Sequence, residues 1–377
     1  MHLLFLPGFV SPHRDYKASD AVGYGITAAE ALLEALSRQG VDIVTVRPRR
    51  QAWPDLERQR LAWILDGCKA LLRGELRTID LIFIFHSFQH FPAEVRRILL
   101  DLKAHVPVVG YTHGSHWDPT DLFRFIHYPG MEVMDLANLL CLDRVLLPSH
   151  YLREVILKNV AGWQPEAAER LAAKMAVVGL PINTRRLDAH RTEERFERPT
   201  IVFNHSLIPS KAPEVFLEVA TQTLERHDVN VIVTRQAEDE ALKQRFREMR
   251  DRFPGRLVFG GTYSLPEYFR LLWKADLQIS TALHEGLGIA TLEAMCTYNC
   301  CLLPNRCSYP EITDRLDEAL YSSTEDLLGK IDHYLNDPAA RRKLAAALHE
   351  RSLRYTPERV ASRLTAVFSE LVPESSP

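Results

Sequence analysis

The chain has 377 residues, more than one compact hydrophobic core accommodates, so two domains are expected. Its 46% hydrophobic and 25% charged residues exclude a disordered or fibrous protein and suit an ordinary soluble globular one. A formal net charge of −3 carries no overall nucleic-acid footprint, and no run approaches the ~18 consecutive apolar residues of a membrane-spanning helix.

In chain order, Leu3–Leu6 reads as a short buried strand, followed by Gly8 and the turn Gly23-Tyr24-Gly25. A helix comes next, with Ala29, Leu32, Leu33 and Leu36 at helical spacing, and Gly40 ends it. Ile43–Val46, Leu81–Phe85, Val106–Gly110 and Arg144–Leu147 are further buried runs separated by helix-like stretches. Such alternation predicts a parallel sheet covered on both faces. Leu180–Pro199 is polar, arginine-rich and bounded by proline, and reads as a linker. The alternation then restarts with Ile201–Phe203, Asn230–Val233, Arg256–Phe259, Leu277–Thr281 and Cys301–Leu303. Thr356-Pro357-Glu358 is a helix start, and Val360, Leu364, Val367, Phe368 and Leu371 form one apolar stripe behind it that needs a partner surface.

The most informative stretch runs His284-Glu285-Gly286-Leu287-Gly288-Ile289-Ala290-Thr291-Leu292-Glu293, directly after a strand. It reads as strand, tight glycine turn and helix N-terminus. Gly286 and Gly288 let backbone approach a ligand, and the opening N–H groups favour an anion such as a diphosphate. Glu285 and Glu293 then supply acceptors for neutral hydroxyls of a sugar and a ribose. The plainer alternative stands beside this: Glu293 complements the helix dipole, and Glu285 is a solvated loop residue.

Cys68, Cys141, Cys296, Cys300, Cys301 and Cys307 lack Cys-x2-Cys spacing, and Cys300 and Cys301 open an apolar strand, so they read as small core residues rather than metal ligands. No metal or other cofactor is expected. No cationic start with an apolar run marks a secretion signal, which makes a cytoplasmic location the default. Basic clusters at Arg47, Arg49 and Arg50 and at Arg185 and Arg186 read first as solvated surface. His86, His113 and His116 lie at or after strand ends, where histidine is either a structural residue or a site residue.

The segment "ADLQISTALHEGLGIATLEAM", the strand "CCLLP" and the closing "YPEI" resemble the donor-binding signature of family-4 retaining glycosyltransferases. The resemblance implies a GT-B fold: two tandem Rossmann-like doubly wound domains with an interdomain cleft, where ligands meet the carboxyl ends of strands. On that frame residues 1–182 form an acceptor domain and 183–355 the nucleotide-sugar donor domain, and 356–377 is a helix that crosses back to the first. The implied reaction moves a hexosyl group from a nucleotide diphosphate to a hydroxyl, retaining configuration without a protein nucleophile.

In similar transferases the loop after the first donor-domain strand, here "NHSLIPSKAPEVFLEV", gives an arginine and a lysine to the diphosphate. Lys211 stands at the lysine position, but Ser206 occupies that of the arginine, leaving His205 or Arg235 to compensate. The implied catalytic set is His113, against the donor sugar, with Glu285 and Lys211. Gly286, Leu287, Gly288, Ile289 and Glu293 would complete the donor site, with Gly23, Tyr24, Gly25, His86, His116 and Asp118 toward the acceptor.

"NHSLIPSKAPEVF" with "ISTALHEGLGIATLEA" further resembles the tRNA-queuosine mannosyltransferase group, whose donor is GDP-mannose. That likeness covers Ile201–Ile312; the first half matches poorly, so the acceptor is open among queuosine-modified tRNA, a small molecule and a glycan. A UDP-hexose is the second donor choice. A nucleotide-sugar epimerase of the same fold and a non-catalytic nucleotide-sugar binder are the rival readings.

Overall fold

The computed structural model describes residues 1–6, 24–45, 78–85, 91–121, 130–237, 239–259, 261 and 263–372. The chain divides into two compact units, the second running from Ile182 to Thr356 and the first including the helix that begins at Pro357.

The first unit holds six strands in the order β2-β1-β3-β4-β5-β6, every neighbouring pair parallel. They are β1 (His2–Leu6), β2 (Asp42–Thr45), β3 (Leu81–Ile84), β4 (Val108–Tyr111), β5 (Arg144–Leu147) and β6 (Met175–Val177). All four residues of β3 and of β4 are buried, as a sheet covered on both faces requires. β6 is three residues long with every position half-buried, too short and too mixed to stand out as an apolar run.

The second unit repeats the plan in the order β12-β11-β10-β7-β8-β9, again all parallel. Its strands are β7 (Thr200–Phe203), β8 (Asn230–Val233), β9 (Leu257–Val258), β10 (Leu277–Ile279), β11 (Cys300–Pro304) and β12 (Leu320–Tyr321). After β7 the chain winds outward through β8 and β9, then returns to lay β10 on the other side of β7. The strand order therefore reverses between β7 and β10, the switch point where loops from neighbouring carboxyl ends diverge and leave room for a ligand.

The expected linker is partly built structure. Within it Thr184–Asp188 is a helix whose Asn183 cap accepts from Arg186 N at 3.2 Å. Leu187 is buried, and its carbonyl accepts from Trp273 Nε1 at 2.8 Å. A polar, arginine-rich composition hid a helix that needs only one buried leucine to dock.

The last helix, Pro357–Leu371, packs into the first unit with Val360, Ala361, Leu364 and Phe368 buried and Val367 and Leu371 half-buried. Phe368 meets Phe83 of β3 edge-on at 5.5 Å, and Arg363 Nε donates to Val178 O at 2.7 Å. Half-exposed ion pairs with Arg38 (3.1 Å from Glu358) and Arg144 (3.2 Å from Glu370) add little, because water screens them. The apolar stripe carries the docking. Phe368→Ala should therefore destabilise the first unit by about 3–5 kcal/mol, seen as a lower denaturant midpoint; an unmoved midpoint would show that the stripe is not a core contact.

Candidate active site

Two loops leave the sheet of the second unit at its switch point. After β7 the chain makes a 3-10 turn, Pro209–Lys211, and then Ala212, left-handed at φ 42°, redirects it into the helix Pro213–Arg226. Ser210 O accepts from Leu283 N at 2.8 Å and from His284 N at 3.2 Å. Thr281 Oγ1 lies 2.8 Å from Lys211 O and 3.0 Å from Ala212 O. The loops after β7 and β10 are thus one hydrogen-bonded body.

That body places Lys211 Nζ 2.7 Å from His284 O and 2.9 Å from Glu285 Oε2. The two side chains are only 14% and 16% exposed, so this is a largely desolvated ion pair and not a solvated surface lysine. Burial pushes the Glu285 carboxyl up, but Lys211, by its charge and its hydrogen bond, leads the groups that hold it below its ordinary range. An ammonium has three donors, and two are committed here.

Gly288 turns the chain into the helix Ile289–Cys296 at φ 94°, a region that glycine enters without cost. A Cβ there would meet Tyr309 Cε1 at 3.3 Å and Glu285 Cγ at 3.5 Å. With no side-chain cap, the first-turn N–H groups have no partner within the helix and point the positive dipole end outward. Gly286 and Leu287 are buried in this turn, and Ile289 is half-buried.

Glu293 follows one turn on. Its Oε2 accepts from Tyr268 OH at 2.6 Å. Burial pushes the carboxyl up to about 7, against the tyrosine hydrogen bond and the charge of Arg235. The two carboxylates are therefore unlike: Glu285 is a lysine-bound anion, Glu293 an acid poised near neutrality.

His205 and Arg235, the two residues expected to compensate for the arginine, differ in charge and exposure. His205 is 3% exposed, and burial, with Lys211 next, lowers it to about 4. At neutral pH it is uncharged, so it cannot replace a cation. Arg235, exposed beyond the end of β8, is in electrostatic reach of both His205 and Glu293, and Ser206 is exposed.

In the first unit, His113 is half-buried between Phe85 and Tyr111, with Nε2 2.8 Å from Phe85 O. His116 is 2% exposed beside buried Asp135, whose Oδ2 accepts from His116 N at 3.0 Å. That is an interior position, unsuited to the acceptor contact expected of it. Asp118, also buried, accepts from Thr120 N at 2.9 Å and Thr120 Oγ1 at 2.7 Å. Tyr24 and Gly25 open the helix Tyr24–Arg38, while Gly23 and His86 lie outside the described residues. Cys296, Cys300 and Cys301 are core residues, and burial pushes the Cys296 thiol up to about 12.

Two residues outside the expected set stand behind Glu293. Tyr268, from the helix Leu265–Lys274, touches Glu293; Asn204 bonds both Tyr268 and Ala290 O. The available signals were a polar Gln278 inside the buried strand β10 and an asparagine at the end of β7.

Two all-parallel α/β units in tandem, with an anion-favouring helix start and a lysine at the second switch point, define a GT-B-type protein. Residues 185–351 match the family described as "Glycosyl transferases group 1", a span holding Lys211, Glu285 and Glu293. Under half of the chain is thus similar to that family. It is 27% identical over 226 residues to tRNA-queuosine alpha-mannosyltransferase of Drosophila melanogaster, a match covering 55% of this chain and 59% of that protein. In fold it is similar to Anabaena HepE solved in complex with UDP (TM-score 0.68, 13% identity, 98% of this chain and 100% of that one). It is equally similar to sucrose-phosphate synthase from Thermosynechococcus elongatus (TM-score 0.68, 15% identity, 99% of each chain).

Glu293 has a signed effect on stability. Its folded pKa is raised from 4.5 to about 7, so the folded state keeps a proton that the unfolded chain loses. Its contribution is full below the lower value and is lost as pH rises to the higher. Glu293→Gln, which cannot ionise, should flatten that decline; denaturation midpoints at about pH 5 and about pH 8 check it, and a slope equal to wild type would refute the raised pKa.

Proposed function

We propose that the protein is a retaining glycosyltransferase that moves a hexosyl group, mannosyl first, from a nucleotide diphosphate sugar to an acceptor hydroxyl. The observation that carries this reading is the desolvated Lys211–Glu285 pair at the helix start, inside the family-matched segment. The leaving group is a diphosphate, so what needs stabilising is the charge that develops as the glycosidic C–O bond breaks. The third N–H of Lys211 and the first-turn amides of Ile289–Cys296 supply that stabilisation, without a metal. Glu285, ionised, accepts from a sugar hydroxyl, and Glu293 accepts from the ribose.

GDP-mannose is the first donor choice, on the likeness to the Drosophila mannosyltransferase; a UDP-hexose is the second, since HepE was solved with UDP. Queuosine-modified tRNA is the acceptor that the same relative suggests, and it would place the enzyme in the cytoplasm. A non-catalytic sugar-nucleotide binder is the second reading, favoured by the uncharged, exposed Ser206.

A thermal-shift panel of nucleotide sugars tests the donor: one that binds only the folded state raises the melting temperature by mass action. GDP-mannose should give the largest rise, and no rise with any nucleotide sugar would end the proposal. Incubation of that donor with acceptor mixtures separates the rest, since transfer or free GDP marks a transferase, rearranged donor an epimerase, and intact donor a binder. Lys211→Ala should cut turnover by about 10²-fold or more; wild-type turnover would remove the lysine from the site.

A further inference from the structure

The hydrogen bonds behind the two glutamates fix one another's direction from a single backbone carbonyl. Ala290 O can only accept, and it lies 2.7 Å from the Asn204 amide, so the facing atom is Nδ2. Asn204 Oδ1 then faces Gln278 and must accept, which makes the Gln278 atom 3.2 Å away Nε2. The same Nε2 is 3.2 Å from Ile279 O, another pure acceptor. It is also 3.1 Å from His205 Nε2; its two hydrogens are shared among three neighbours and an amide nitrogen accepts none, so that ring nitrogen carries no hydrogen and the proton of the neutral imidazole sits on Nδ1. In the other direction Asn204 Nδ2 lies 3.1 Å from Tyr268 OH, which accepts there and donates its own hydrogen to Glu293 Oε2.

A cost accompanies this polarity. Among the described residues Gln278 Oε1 is buried with no hydrogen-bond partner, yet turning the amide over would set oxygen against the oxygens of Asn204 and Ile279. His205 Nδ1, by contrast, takes no hydrogen bond among the described residues. The charged groups in its electrostatic reach are Lys211, Glu285 and Arg235.

We propose that Asn204, pinned by Ala290 O, is a positioning residue that makes His205 a neutral Nδ1–H donor to the diphosphate and turns the Tyr268 hydroxyl onto Glu293, leaving Glu293 Oε1 for the ligand. The ligand half rests on the nucleotide-sugar reading of the site; the hydrogen-bond half does not. A neutral N–H donor then stands beside the position where similar transferases carry arginine.

Histidine-¹⁵N-labelled protein gives the tautomer directly from two-bond proton–nitrogen correlations, with the His205 signals assigned by their loss in His205→Gln. The ligand-free wild type should show His205 neutral and protonated on Nδ1, and GDP should shift that Nδ1–H. Gln278→Leu should release the tautomer while leaving Tyr268 on Glu293. Asn204→Ala should disturb both arms and weaken GDP binding about tenfold, the scale of one lost hydrogen bond to a charged group. An Nε2–H or cationic His205 in the wild type overturns the proposal, and does so without any variant that must fold. GDP binding that leaves His205 unmoved overturns the ligand half alone. A correct tautomer with binding of neither GDP nor UDP instead overturns the nucleotide reading and the ligand half, and keeps the network.

Discussion

A lysine ammonium taken out of most of its water needs a carboxylate, and Lys211 has one in Glu285 at 2.9 Å. The pair exists only because two loops that leave different strands are joined first by backbone, through Ser210 O and the Thr281 hydroxyl. The dependence runs both ways. Removing either charge would leave the other buried and uncompensated, which costs more than the pair itself contributes. A cation so held is also restrained, since an incoming anion must share it with Glu285 rather than find it free.

The sheet explains why those loops meet. Parallel strands satisfy their own backbone and bury both faces, so polar chemistry is confined to the ends. At the β7/β10 reversal one connection goes to each side, and the space between receives both loops. Gly288 then does what no other residue could at φ 94° with Tyr309 already 3.3 Å from an added Cβ. The turn is tight because the ring behind it leaves no alternative.

Much of this was legible in the residues. Continuous apolar runs marked ten of the twelve strands among the described residues, and the spacing of Glu285 and Glu293 about Gly288 marked the turn and helix start. β6 and β12, three and two residues long, were not, because so short a piece has no period to read. Nor was the helix Thr184–Asp188, whose docking depends on one carbonyl meeting Trp273. The network through Asn204, Gln278 and Tyr268 joins positions up to 86 apart, and nothing local announces it. The neutrality of His205 has the same origin: the ring type was visible, but its charge is set by burial, which only the folded chain possesses.

Charge balance connects these findings. Lys211 and Glu285 cancel, His205 is neutral, Arg235 is exposed, and Glu293 lies near its midpoint at neutral pH. An arginine in place of Ser206 would add a second cation to the loop after β7. With serine there, the fixed positive contribution comes from the helix start and from hydrogen-bond donors, whose strength does not depend on pH in the neutral range. An anion arriving at such a site would raise Glu293 further, while the hydrogen bond from Tyr268 opposes that rise. Tyr268 itself keeps its proton, because burial drives its pKa well above the usual phenol range. The tyrosine is therefore the fixed donor of this pair and Glu293 its adjustable partner.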